Sequence, residues 1–110
     1  MNDLGGGVHV GNVENSEWEK DDDVGGLVQV LFEDGATAGG LWAAGPDLHV
    51  AQGHVLPARE TIVILAGTVR IEIQDGPTLE LGAGDIASMP KGATTTWHPS
   101  PDFKEVWLYS

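Results

Sequence analysis

The chain has no cysteine. Disulfides, thiolate-held metals and cysteine nucleophiles are therefore excluded, and the redox compartment is left open. Basic residues are nearly as scarce. Five Lys and Arg stand against 17 Asp and Glu, giving a net charge of −12. A field of that sign repels nucleic acid and anionic membrane surfaces, and no basic patch reverses it locally. Neither is expected as a partner. The plain reading of this acidity is solubility. No apolar run approaches the roughly 18 residues of a membrane span. The opening MNDLGGGVHV lacks the basic and apolar regions of a secretory signal, so the expected location is the cytoplasm. No stretch reads as a convincing helix.

What is abundant is punctuation. Sixteen glycines and six prolines divide short β-compatible runs. The clearest stretch is 60–92, ETIVILAGTVRIEIQDGPTLELGAGDIASMPKG. It predicts strands at 61–66, 68–74 and 78–81, with Gly67 and an Asp75-Gly76 turn between them. A corner at 82–85, a short strand and the Pro90-Lys91-Gly92 turn follow. Upstream, strands are expected at 27–32, 38–43 and 48–56. The Glu33-Asp34-Gly35 turn joins the first two, and Gly53 is a candidate bulge in the third. Downstream, 93–97 and 103–109 complete the set. About eight to ten strands at 8–12-residue spacing predict an antiparallel sandwich or barrel. A chain of 110 residues suits one domain with one core. Residues 1–26 read as an acidic arm lying on a domain of 27–110, with a short strand at 8–13 and Trp18 as its anchor.

Two spaced blocks sharpen this. Glu60 is followed by six residues and Gly67, and Gly84 by five residues, Pro90, Lys91 and Gly92. In this the chain resembles the cupin superfamily, the RmlC-like jelly-roll barrels, over roughly residues 38–109. Trp97 and the closing strand at 104–109 look most like the small ureidoglycine aminohydrolase-type and ethanolamine-utilisation-type cupins. The resemblance implies an all-β, single-domain antiparallel β-barrel, or double-stranded β-helix. It also implies a homodimer paired through outer strands.

A metal-binding cupin holds its ion with a His-x-His pair and a Glu from the first block and a His from the second. Carried over residue by residue, the pair falls on His54 and Leu56, or on Gly53 and Val55. The Glu is Glu60, and the second-block His is Thr95. Leu56-Pro57-Ala58 can also be the lead-in to a His segment that has been shortened away. His54 and Glu60 are too few for a transition metal, which wants at least three N or O ligands. No cofactor is favoured on this count. The alternative is a divalent transition metal on His49, His54 and Glu60, with His98 as a further candidate. It requires a bulge at Gly53 to turn His49 and His54 to one face.

The candidate site residues each have a plain reading beside the functional one. Glu60 begins a strand whose inward face includes Ile62 and Ile64. Desolvation there would raise its pKa and make it a general acid or base; otherwise it pairs with Arg59 or caps the rim. His54 is its natural partner, or a structural strand histidine. Thr95 and Trp97 share a face and would bind substrate, together with His49, Trp42 and Tyr109; Trp107 is a candidate for the same wall. The same aromatics could be plain core. His9 and His98 read as outside the site. Two functions stay open: acid/base chemistry on a small metabolite without a metal (isomerase, cyclase, lyase or amidohydrolase type, Glu60 and His54 catalytic), or a non-catalytic ligand-binding or dimerisation module.

Overall fold

The computed structural model describes residues 2–14, 17–45 and 53–110 of the protein. Twelve strands lie among them. Those that build the barrel are β3 (Glu19–Lys20), β4 (Leu27–Asp34), β5 (Thr37–Ala43), β6 (His54–Val55), β7 (Glu60–Ala66), β8 (Thr68–Ile73), β9 (Thr78–Gly82), β10 (Ile86–Met89), β11 (Thr94–Pro99) and β12 (Lys104–Tyr109). A small hairpin of β1 (Asn2–Gly5) and β2 (Val8–Val10) precedes them. Every barrel pairing is antiparallel. No helix long and apolar enough to cross a membrane occurs among the described residues.

Two sheets face each other. One has six strands in the order β10-β7-β12-β5-β4-β3, the other four in the order β6-β11-β8-β9. The chain passes between them on going from β5 to β6, β6 to β7, β7 to β8, β9 to β10, β10 to β11 and β11 to β12. Two-residue alternation decides what each strand turns inward. On β7, Glu60, Ile62 and Ile64 are buried; on β8, Val69 and Ile71 are, while Thr68, Arg70 and Glu72 face solvent. The inward side chains form one core with Trp42, Leu56, Met89, Trp97 and Phe103.

The turns make the crossings possible. Gly67 has φ +73, and a Cβ there would lie 2.5 Å from Ser100 Oγ and 2.8 Å from Phe103 Cα. Only glycine suits both the left-handed backbone and the close approach. At the corner after β9, the Gly82 amide donates to the Asp85 carboxylate at 2.8 Å. In the turn after β8 the left-handed residue is Asp75, at φ +59, and not Gly76; an aspartate tolerates that region.

The strand expectations for the barrel agree with these elements to within a residue or two. The differences have local causes. β4 runs on to Asp34 because its ladder continues to Thr37, whose hydroxyl donates to the Asp34 carbonyl at 2.8 Å. A register shift between Val30 and Phe32 accommodates the extra residue Leu31. The arm is also more regular than expected. Its strand at 8–13 shortens to Val8–Val10 and gains a partner in Asn2–Gly5, and Glu19–Lys20 adds an edge strand against β4. Trp18 is half-buried with Lys104 Nζ 5.8 Å over its ring. Of the strand expected at 48–56, the part at 48–52 lies outside the described residues. Gly53, at φ +66, leads directly into the two-residue β6.

Candidate functional site

The site is built mainly by β12. Its sequence KEVWLY sends Lys104, Val106 and Leu108 outward and Glu105, Trp107 and Tyr109 inward. On one side these three lie opposite Ile64, Ile62 and Glu60 of β7. On the other they lie opposite Trp42, Gly40 and Ala38 of β5. A Cβ at Gly40 would sit 3.1 Å from Trp107 Cζ2 and collide with the Gln29 carbonyl. Glycine there leaves room for the indole.

Together these side chains line a cavity of about 480 Å³, within the size range of small-molecule sites. Its aromatic walls are Trp42, Trp97, Trp107 and Tyr109, and its ionisable lining is Glu60, Glu105, Asp21, Asp23, Glu33 and His54. No lysine or arginine lines it among the described residues. Arg59 turns away and donates to Ser88 Oγ at 2.9 Å, so the expected plain pairing of Glu60 with Arg59 does not form.

Burial sets the protonation of the carboxyls. Glu60 is 6% exposed, and desolvation raises its pKa from 4.5 to about 7. Glu105 is 3% exposed; burial first, and the Glu60 charge second, push it well above the carboxylate range. Its Oε2 is buried without a hydrogen-bond partner. Burial lowers the pKa of His54, and the charges of Asp21 and Asp23 oppose that. Tyr109 is raised by burial first and then by Glu60, Asp21, Glu105 and Asp23, so it keeps its proton.

The acidic run of the arm reaches this cavity. The Asp21 carboxylate accepts from the amides of Asp23 (3.0 Å) and Val24 (3.3 Å), closing an Asx turn. Trp42 Nε1 donates to the Gly25 carbonyl at 2.9 Å and ties that turn to β5. Solubility alone is thus the wrong account of these aspartates: two of them form part of the cavity lining.

Of the residues singled out from sequence, Glu60, His54, Trp97, Trp42 and Tyr109 meet on this cavity. Thr95 does not line it. It is 1% exposed; its hydroxyl accepts from Trp97 Nε1 at 2.8 Å and donates to the His54 carbonyl at 2.9 Å. It therefore positions the indole and the His54 backbone rather than offering a free hydroxyl. His49 lies outside the described residues. His98 alternates with Trp97 on β11 and points outward, with Nε2 3.5 Å from Glu72 Oε2, so it is no partner for Glu60. Glu105 was missed. The signal was present: a lone carboxylate on the aromatic face Phe103, Trp107, Tyr109 of the closing strand.

Among the described residues, which leave out the candidate ligand His49, a metal cupin's ligand set is not reproduced. Leu56 is buried in the core, the Thr95 hydroxyl is engaged on both sides, and His54 and Glu60 remain. Among the described residues no group of three or more His, Asp or Glu side chains gathers at metal-binding geometry.

Two facing antiparallel sheets, crossed repeatedly by one chain and closed around a polar-lined cavity, define a double-stranded β-helix. Solved structures share it. An uncharacterized conserved protein with a double-stranded β-helix domain from Klebsiella pneumoniae subsp. pneumoniae MGH 78578 is 22% identical, with a TM-score of 0.69 over 92% of this chain and 88% of that one. A candidate ethanolamine utilization protein Q of Salmonella typhimurium LT2 is 17% identical, with a TM-score of 0.67 over 84% and 76%. The DMSP lyase DddQ of Ruegeria pomeroyi DSS-3 is 25% identical, with a TM-score of 0.58 over 74% of this chain and 45% of that one. No curated protein matches the chain. The EutQ-like cupin domain matches residues 48–104, just over half of the 110 residues, and the chain belongs to that family.

Proposed function

We propose that the protein binds a small metabolite in the barrel and moves a proton on it, with Glu60 as general acid and base. One observation carries this reading. Glu60 lines a half-open, aromatic-walled cavity with its pKa raised to about 7. A carboxyl poised there can take a proton and return it at neutral pH, which an ordinary carboxylate does poorly. Glu105 and Tyr109, both protonated, supply hydrogen-bond donors to an oxygen or nitrogen that gains charge. His54, lowered by burial, is a neutral acceptor on the same wall. The aromatic rings exclude water. Isomerisation, cyclisation, elimination and amide hydrolysis all need such a set. That a DMSP lyase shares the fold supports chemistry in such a barrel.

The site is proposed to work in a cytoplasmic homodimer. The support is an apolar outer face on the six-stranded sheet: β10 is its free edge, and Ile86 (69% exposed) and Leu108 (40% exposed) face outward there. Light scattering after size exclusion tests the pairing. For the chemistry, a metabolite library is screened by thermal shift, and each stabilising compound is followed by NMR. A stabilising compound that is converted, with at least a hundredfold loss in Glu60→Gln, supports the assignment. Unchanged turnover in Glu60→Gln removes Glu60 from it. A compound that stabilises the fold and is recovered intact points to the non-catalytic binding module.

A further inference from the structure

The inward face of β12 sets one carboxyl, Glu105, beside two aromatic rings, Trp107 and Tyr109, with no lysine or arginine among the described residues of the cavity lining. Glu105 lies opposite Trp42, and Trp107 follows it along the strand. Tyr109 comes next, with its ring 5.1 Å from that of Trp107, and Glu60 lies opposite Tyr109 on β7. Glu105 is nine-tenths buried or more, and its Oε2 has no hydrogen-bond partner. A buried carboxyl oxygen without a partner is costly, and it belongs to a residue of the cavity lining. Asp21 and Asp23 add negative charge to the same lining.

This lining discriminates by charge. A carboxylate or phosphate ligand would meet Glu60, Glu105, Asp21, Asp23 and Glu33 with no lysine or arginine to receive it among the described residues. A cation meets the opposite situation. Ring faces attract it through their quadrupole, and desolvation strengthens that attraction. Trp42, Trp107 and Tyr109 provide the faces, and Glu105 and Glu60 the counter-charge. A compact, hydrated metal ion gains little from indole faces, whereas an alkylated nitrogen gains both from the rings and from the carboxyls.

We propose that the cavity selects a small organic cation, an amine or quaternary ammonium group, seated over Trp107 and Trp42 and neutralised by Glu105 and Glu60. The inference rests on the reading of this cavity as a small-molecule site, and it adds the charge class of the ligand. It does not require Glu60 to catalyse anything. A bound cation favours ionised Glu105, so uptake releases a proton. The titratable groups facing Glu105 across the cavity are Glu60 on β7, Tyr109 on β12, Asp21 and Asp23 in the arm, Glu33 on β4 and His54 on β6.

The test uses the full chain and three probes of similar size: choline, its neutral carbon isostere 3,3-dimethylbutan-1-ol, and the anion 3,3-dimethylbutanoate. Binding is read by tryptophan fluorescence and calorimetry, with Zn²⁺ and Mg²⁺ titrated separately. The expected order is choline at least tenfold tighter than the neutral isostere, with the anion weakest. Glu105→Gln should remove most of the preference for choline over the neutral isostere. Trp107→Leu should weaken choline more than Trp107→Phe does. Glu105→Gln removes a buried ionisable group and is expected to fold; circular dichroism and a cooperative urea transition check that. Equal or tighter binding of the neutral isostere or the anion overturns the proposal. So does no binding of choline, or a divalent metal that binds tightly and excludes it. Failure of this selectivity leaves the role of Glu60 intact, because that role is judged by turnover in Glu60→Gln.

Discussion

Burying Glu60 ties the stability of the fold to pH. In the unfolded chain its carboxyl ionises near the ordinary 4.5, and in the fold near 7. Between those values the native protein holds a proton that the unfolded chain has released. Stability therefore falls as pH rises through that window, since the folded state binds more protons there. The advantage of the protonated carboxyl is whole below pH 4.5 and gone above about 7. The interval corresponds to roughly 3 kcal/mol. Against a total of about 5–15 kcal/mol for an ordinary domain, that is a large fraction. Glu105 is raised further, so its effect has the same sign and extends to higher pH. His54 works in the other direction: its lowered pKa means that the unfolded chain binds the extra proton, and stability gains as pH rises toward 6.5. Urea unfolding followed by tryptophan fluorescence, at intervals from about pH 5 to about pH 8.5, measures the balance. Glu60 should account for about 2–3 kcal/mol of the wild-type loss across the range, with the Glu105 loss added to it. Glu60→Gln should lose less than the wild type by about that share and keep the Glu105 slope, and Glu60→Gln with Glu105→Gln should be flat or rise slightly. A wild-type profile that is flat, or a Glu60→Gln profile with the full slope, would refute the argument that burial controls these carboxyls.

Two further perturbations follow from single contacts. Thr95→Val removes the acceptor for Trp97 Nε1 and the donor to the His54 carbonyl. With a buried indole N–H left unpaired, the expected loss is about 1–3 kcal/mol, and Thr95→Ser should recover most of it in the same urea assay. Gly67→Ala forces a Cβ against Ser100, Asp102 and Phe103 at positive φ. A loss of about 2 kcal/mol or more is expected by combining backbone strain with the clash. A melting temperature unchanged from wild type would show that the β7–β8 crossing can relax.

The fold was legible because the cues were local. Alternation along β7 and β8 places Ile62, Ile64, Val69 and Ile71 inward without any tertiary information. Gly67 and the Gly84 to Gly92 spacing mark where the chain must change sheets. Glu60 was legible for the same reason, since its parity with Ile62 and Ile64 can be counted. The arm was not, because its place depends on a long-range bond, Trp42 Nε1 to the Gly25 carbonyl, that no local pattern announces. Three aspartates in a row read as solvation. Their position at the cavity follows only once the Asx turn at Asp21 is docked. Thr95 shows the converse failure. Its position in the family pattern can be counted from Gly92, yet side-chain geometry, invisible to spacing, commits its hydroxyl to Trp97 and His54.

The change from a metal cupin's pattern to this one is more than a loss. With the family's His pair counted onto His54 and Leu56 and its second-block His onto Thr95, Leu56 and Thr95 are absorbed into core packing and hydrogen bonding. That removes imidazole donors from the interior. The carboxyls were not removed with them. Glu60 remains, and Glu105 stands on the neighbouring strand, close enough that its protonation depends on the Glu60 charge. Two carboxyls buried beside aromatic rings, with no lysine or arginine on the described lining, are satisfied by holding protons or by holding a cation. Protons and an organic cation would then compete for the same oxygens. At low pH the protein stores protons ready for transfer; as pH rises, the vacated charge must be met by a ligand or borne as lost stability. Acid/base readiness and preference for a positively charged ligand are thus consequences of one arrangement, and perturbing Glu105 should separate them from the role of Glu60.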